Sequence, residues 1–375
     1  MRICGYCGEE NNGELSSCTR CGTELRELAK TNSTYVCQFP GLEAVVEESC
    51  AVLEGFRRPD WKNIERYIND TFNEELKPTA WDEASIAWVK VLQKDLGGDY
   101  HLSISGRSVV LSELEPESRH QLAETAEATN DSLRWMLPGL APSEGFRGLT
   151  VILIFSEQDD YYTYAAYFYP EGTHSFTWGL CLHGFLPHVA INLSLGRGLP
   201  YVVLTHELVH KYVAHLKLPF WIDEGLAGMI ERRVHPSPAR EFDNVASEWS
   251  YWNHETVQHF WAGASFGTLS YWLAEMLLDR LARNRQAFLE FLRLARPEDA
   301  GNSAAQKCFG VGLGELAYEF LGPGSWSPDP TTIAKLQAGT GEGSEENPDA
   351  ANPDLKTADT NAESAETPKN PENPE

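Results

Sequence analysis

Apolar positions along this chain change their period several times, and each change marks an element. Residues 41–53 and about 60–96 carry helical spacing, clearest from Trp81-Asp82-Glu83 to Leu96. From Tyr100 the period becomes two, so His101-Leu102-Ser103-Ile104-Ser105 and Val109-Val110-Leu111 read as strands. Glu115-Pro116-Glu117 opens a helix running to about Leu137, where Pro138-Gly139 stops it. Val151 to Phe155 is an uninterrupted apolar run and reads as a buried strand. Tyr161 to Tyr169 reads as a second, aromatic-rich strand, and His188 to Leu193 as a third. Pro200 can then start a helix whose buried face is Val202, Val203, Leu204, Leu208, Val209, Tyr212, Val213 and Leu216. Pro219 breaks it and lets a second helix begin near Trp221. The order is strands, one central helix, then a helical C-terminal half, which defines an α+β fold.

Composition bounds the picture. A chain of 375 residues, 42% hydrophobic and 11% aromatic, has enough apolar surface for one large domain or two ordinary ones. No apolar run approaches the roughly 20 residues that span a bilayer, and Met1-Arg2-Ile3-Cys4 lacks the apolar core of a signal peptide. The expected location is therefore the cytoplasm. Four segments are expected: 1–24, a 25–97 linker and helical segment, a 98–322 main domain, and a disordered acidic tail over 323–375. From about Thr340 that tail repeats Asn-Pro and Glu-Asn-Pro with few apolar residues, too few to offset its ordering entropy. It supplies part of the formal net charge of −25. The acidity of the rest argues against nucleic acid as a partner.

The chemistry concentrates in His206-Glu207-Leu208-Val209-His210 and in Trp221-Ile222-Asp223-Glu224-Gly225-Leu226-Ala227. Residues four apart stack on one helix face, so His206 and His210 can grip one ion. Glu207 is offset by about 100°, which leaves its carboxylate beside that ion. A third ligand must come from the second helix: Glu224 is best placed, and Asp223 competes. Gly225, Ala227 and Gly228 are expected to thin that helix where it nears the ion.

These two motifs resemble the gluzincins, in particular the bacterial peptidase MA-like group, sharply over residues 186–232 and diffusely from 98 to 322. The resemblance implies a zincin-like core, with a mixed sheet above the cleft and a helical lobe below it. It assigns His206, His210 and Glu224 as ligands of one catalytic Zn²⁺ and Glu207 as general base. It also implies an oxyanion stabiliser from the C-terminal lobe, for which Tyr271 comes first and His254 and Tyr251 follow. In such proteins the strand before the HExxH helix is an edge strand that pairs an extended peptide; His188–Leu193 is the candidate here, the other reading being a plain interior strand. Lys211 departs from the pattern, placing a charge directly after the second ligand.

A separate signal lies at the N-terminus. Cys4-Gly5-Tyr6-Cys7 and Cys18-Thr19-Arg20-Cys21 are two CxxC pairs separated by ten residues. Four thiolates close a tetrahedral structural site with no open position, so a second, structural Zn²⁺ is expected in what resembles a small zinc ribbon. About 20 residues cannot bury a core, so that metal must supply the folding energy. Cys37, Cys50, Cys181 and Cys308 are scattered and read as free thiols.

The expected activity is a zinc metallohydrolase, specifically a peptidase, acting on a peptide or protein substrate. The ribbon is expected to contact a protein partner. The alternative is a zincin-fold scaffold that binds zinc and mediates contacts with weak or no catalysis. Each ligating His needs an outer hydrogen-bond acceptor; Glu231, two turns beyond Glu224, can supply one, but a solvated carboxylate near the helix end is the reading preferred for it.

Overall fold

A computed structural model describes residues 37–142, 145–169, 178–194, 200–235 and 250–339, with a few positions among the first 19. The ribbon cysteines Cys4, Cys7, Cys18 and Cys21 lie outside the described residues, as do 340–375. Near the start, β1 (Arg2–Ile3) pairs antiparallel with β2 (Glu10–Asn11).

The chain then forms α1 (Pro40–Glu48), a hairpin of β3 (Cys50–Leu53) and β4 (Phe56–Pro59), α2 (Trp61–Thr71) and α3 (Lys77–Leu96). The helix expected over 41–53 thus ends early. Glu54 and Gly55 both take positive φ, 49° and 78°, which makes the tight turn that folds the chain back as a hairpin. The stretch 60–96 is two helices, with Asp60 capping the first through bonds to Lys62 N–H and Asn63 N–H and Pro78 in the first turn of the second.

The central sheet contains β5 (His101–Ser105), β6 (Ser108–Ser112), β7 (Thr150–Phe155), β8 (Gly179–Leu182) and β9 (His188–Asn192) in the order β5-β6-β7-β9-β8. β6, β7 and β9 run parallel, and β5 and β8 pair antiparallel at the two edges. The sheet is mixed, as expected; of the two positions open to His188–Leu193 the interior one is found, and one expected strand is a helix. His188–Asn192 lies inside the sheet between β7 and β8, so the edge on that side is β8, a strand the hydrophobic pattern had not signalled. Tyr161 to Tyr169 is not a strand: Gln158–Ala166 is the helix α5. Its buried positions Tyr161, Tyr164 and Ala165 follow the helical period, with Asp159 and Asp160 favourably placed in the first turn.

Strand alternation divides the buried side chains between two faces. Val109, Leu111, Val151, Leu153, Phe155 and Ala190 pack against α1–α3 and α5. Val110, Ile152, Ile154, Val189 and Ile191 pack against α4 (Pro116–Met136) and α6 (Pro200–Val213). The core of the 25–97 segment is therefore continuous with that of the sheet across residue 97. Leu204 and Leu208 of α6 face the sheet, while Val209, Tyr212 and Val213 face a second core. That core is the helical lobe: α7 (Phe220–Val234), α8 (His254–Ala262), α9 (Thr268–Ala282), α10 (Arg285–Leu294), α11 (Asn302–Phe309), α12 (Leu313–Leu321) and α13 (Pro330–Gly339). Burial of Trp326 and Ile333 there carries ordered structure past residue 323, where the tail was expected to begin. The helix α6 is thus wedged between sheet and lobe.

Candidate metal centre

On α6, His206 and His210 stand one turn apart with ring centroids 4.9 Å from each other. Beyond Val213 the helix tightens into a short 3-10 turn, Lys217 takes a left-handed φ of 51°, and Pro219 starts α7 in the return direction. That return brings Glu224 to both imidazoles: Oε2 is 3.4 Å from His206 Nε2 and Oε1 is 3.6 Å from His210 Nε2. One donor atom from each of the three lies within 4.8 Å of the others. Tetrahedral zinc with bonds of about 2.0–2.1 Å would set its ligand atoms about 3.4 Å apart, so the spacing suits such an ion.

The outer nitrogens of both rings are engaged. Glu231 Oε2 lies 3.1 Å from His206 Nδ1, so it serves as an outer acceptor and not as a purely solvated carboxylate. Asp223 Oδ1 lies 3.0 Å from His210 Nδ1, so the residue that competed for the third ligand position instead orients the second histidine. In the neutral ring these carboxylates favour the tautomer with the proton on Nδ1, which turns each Nε2 lone pair inward.

The charges are strongly coupled. Burial alone would lower the His206 pKa, but Glu224 and Glu231 outweigh it and raise it well above the ordinary value. Burial likewise opposes protonation of His210, yet Asp223 and Glu224 raise it to about 9. For Glu224, burial pushes up, and His210, His206 and the Tyr271 hydroxyl together pull it down to about 2. The ionised carboxylate between two imidazoles is held as a ligand would be.

Glu207 is buried beside this cluster, and burial raises its carboxyl pKa. Its carboxylate accepts the backbone N–H of Cys181 on β8. A Cβ at Gly179 would sit 2.5 Å from Val203 Cγ1 and 3.1 Å from Glu207 Cγ, so only glycine lets the edge strand lie this close to α6. Gly179 was not singled out in the sequence, and Cys181 only as a free thiol. The signal was the run Trp178-Gly179-Leu180-Cys181-Leu182, short, apolar and broken by one glycine.

Tyr271, on α9, donates its hydroxyl to Glu224, and its ring packs edge-on against Phe266 at 4.9 Å. Tyr251 and His254 make no contact with the cluster among the described residues. Gly225 and Gly228 face α9 and not the His206, His210 and Glu224 cluster, contrary to expectation. A Cβ at Gly225 would meet Ala274 Cβ at 2.8 Å, and one at Gly228 would collide with Glu275 Oε1, both on α9. The small residues bring α9 against α7, which is what delivers Tyr271.

Lys211 is buried with its ammonium 4.3 Å from the centre of the Phe146 ring and 3.4 Å from Thr150 Oγ1. Burial lowers its pKa to about 8. It faces the sheet, not the metal cluster. Cys37, Cys50, Cys181 and Cys308 are free thiols.

No family model matches the chain. No curated protein matches it either. No helix among the described residues is long and apolar enough to cross a membrane.

Proposed function

We propose that this protein is a zinc-dependent metallohydrolase with a zincin-like core, and specifically a peptidase. The observation that carries the reading is the pairing of two inward Nε2 atoms with a depressed-pKa carboxylate, each imidazole backed by its own outer carboxylate. His206, His210 and Glu224 would hold Zn²⁺, a two-imidazole, one-carboxylate set that leaves a position open. When bound, the ion supplies a Lewis acid that makes a water acidic near neutral pH and polarises a carbonyl.

The protein's own groups do the rest. Glu207 accepts a proton from the attacking water and returns it to the leaving amine. Its raised pKa suits both directions of that transfer. The Tyr271 hydroxyl stands on Glu224, close enough to turn toward an oxygen that gains negative charge in the transition state. β8, as the edge strand above α6, offers backbone groups to an extended peptide. A structural Zn²⁺ in the four ribbon cysteines, a protein partner for that ribbon and a cytoplasmic location complete the proposal.

The test is hydrolysis of a mixed peptide digest followed by mass spectrometry, for the wild type and for Glu207→Gln. New cleavage products are expected from the wild type, abolished by a chelator and reduced at least 1,000-fold by the substitution. Equal turnover in the two proteins would remove Glu207 from the chemistry. Zinc bound with no turnover on any peptide or ester would leave the scaffold reading.

A further inference from the structure

Among the described residues no strand pairs with β8 on the side away from β9, which leaves that edge open. Asn192 N–H donates to Trp178 C=O at 2.8 Å, and the register places Trp178, Leu180 and Leu182 as the residues bonded to β9. Antiparallel ladders alternate, so Gly179 and Cys181 point their N–H and C=O away from β9, toward the open edge. Two side-chain contacts agree with that phase. Cys181 N–H goes to Glu207, and Cys181 C=O accepts the Tyr169 hydroxyl at 3.1 Å. Tyr169 follows α5 and is only partly buried.

A peptide adding to this edge needs an acceptor at Cys181 for its own N–H. That acceptor is already engaged by the Tyr169 hydroxyl at 3.1 Å, on the side away from β9 where a ladder bond would form. Gly179 turns its N–H and C=O the same way, so a short ligand can bond there without disturbing Cys181.

Resting on the peptide-substrate reading above, we infer that Tyr169 caps the open edge of β8, and that an extended peptide must displace its hydroxyl from Cys181 C=O in order to bind. The device discriminates by length. A ligand spanning Gly179 and Cys181 exchanges one hydrogen bond for another at Cys181, whereas a dipeptide that stops at Gly179 leaves the cap in place. A hydroxyl that merely braced β8 would act in the opposite sense, because its loss would loosen the strand and weaken every ligand.

The test uses the full chain loaded with zinc and carrying Glu207→Gln, which keeps an oxygen for Cys181 N–H but does not turn substrate over. A fluorescein-labelled ten-residue peptide of mixed sequence is titrated by anisotropy, and an acetylated dipeptide amide is titrated against it as competitor. Adding Tyr169→Phe is expected to tighten the ten-residue peptide about 3- to 10-fold, the worth of one hydrogen bond no longer surrendered, and to leave the dipeptide unchanged. An unchanged or weakened long-peptide Kd overturns the cap, as does failure of every variant to bind the peptide. The peptidase reading fails separately, if the trap binds peptide but the wild type cleaves none.

Discussion

Gly225→Ala sets two known magnitudes against each other at the helix contact beside the candidate metal centre. In an exposed helix, alanine in place of glycine stabilises by about 1 kcal/mol. Here the new Cβ would lie 2.8 Å from Ala274 Cβ, 3.0 Å from the Ala274 backbone carbon and 3.0 Å from Leu278 Cδ1. Leu278 can change rotamer, but a backbone carbon in the middle of α9 cannot. The helices must separate, and overpacking of this kind costs about 1–3 kcal/mol. A clash with backbone puts the cost in the upper part of that range, about 2–3 kcal/mol, and with the propensity gain deducted the net loss is about 1–2 kcal/mol. Thermal unfolding followed by circular dichroism should show it as a fall of about 2–8 °C in Tm, at about 2–4 °C per kcal/mol for a domain of this size. All three candidate metal ligands lie on α6 and α7, so zinc content should not change. Ala274→Gly in the same chain removes the nearest clashing atom and should recover part of the loss. A Tm equal to or above that of the wild type would mean that propensity wins, and the close approach of α9 described here would be refuted.

Other expectations follow from the same contacts. Glu231→Gln and Asp223→Asn remove the negative charge on each Nδ1 and should each weaken zinc binding about 10- to 100-fold, read by competition with a chromogenic chelator. His188 is buried between Tyr164 and the Leu186 carbonyl, and burial lowers its pKa to about 3. The unfolded chain therefore takes up a proton that the folded one refuses. This contribution is whole above about pH 6.5 and declines as pH falls toward 3, by about 1.4 kcal/mol per unit. The urea midpoint of the wild type should accordingly drop more between pH 7 and pH 5 than that of His188→Gln, and parallel drops would count against it. Lys211 has no carboxylate within ion-pair distance among the described residues, so Lys211→Met should leave Tm unchanged or raise it, while a loss above about 2 kcal/mol would show that the Phe146 contact outweighs desolvation.

Much of this arrangement was legible in the sequence because its signals are local. The histidine spacing, the break at Pro219 and the offset of Glu207 are properties of single helices. So is the position of Glu231 two turns beyond Glu224, but its contact with His206 is not. The parts that were missed depend on neighbours distant in sequence. The aromatic run from Tyr161 suits a strand or a buried helix equally, and only the spacing of Tyr161 and Tyr164 against Phe155 and His188 decides for α5. Whether His188–Asn192 lies inside the sheet or at its edge depends on where Gly179–Leu182 docks, and no local pattern encodes that. The glycines of α7 were correctly read as a close approach but given the wrong partner, because a missing side chain says nothing about what fills the space.

The central claim is that the helix pair α6–α7 is a zinc site in its own right, separate from the ribbon. Zinc per chain, measured by metal mass spectrometry, tests it most directly on the full chain, on a chain beginning at Tyr35 and on each with Glu224→Ala. Two zincs falling to one on truncation, with the remaining one lost or greatly weakened by Glu224→Ala, is the predicted result. A shortened chain that folds but holds no zinc would contradict the metal centre and the hydrolase proposed from it.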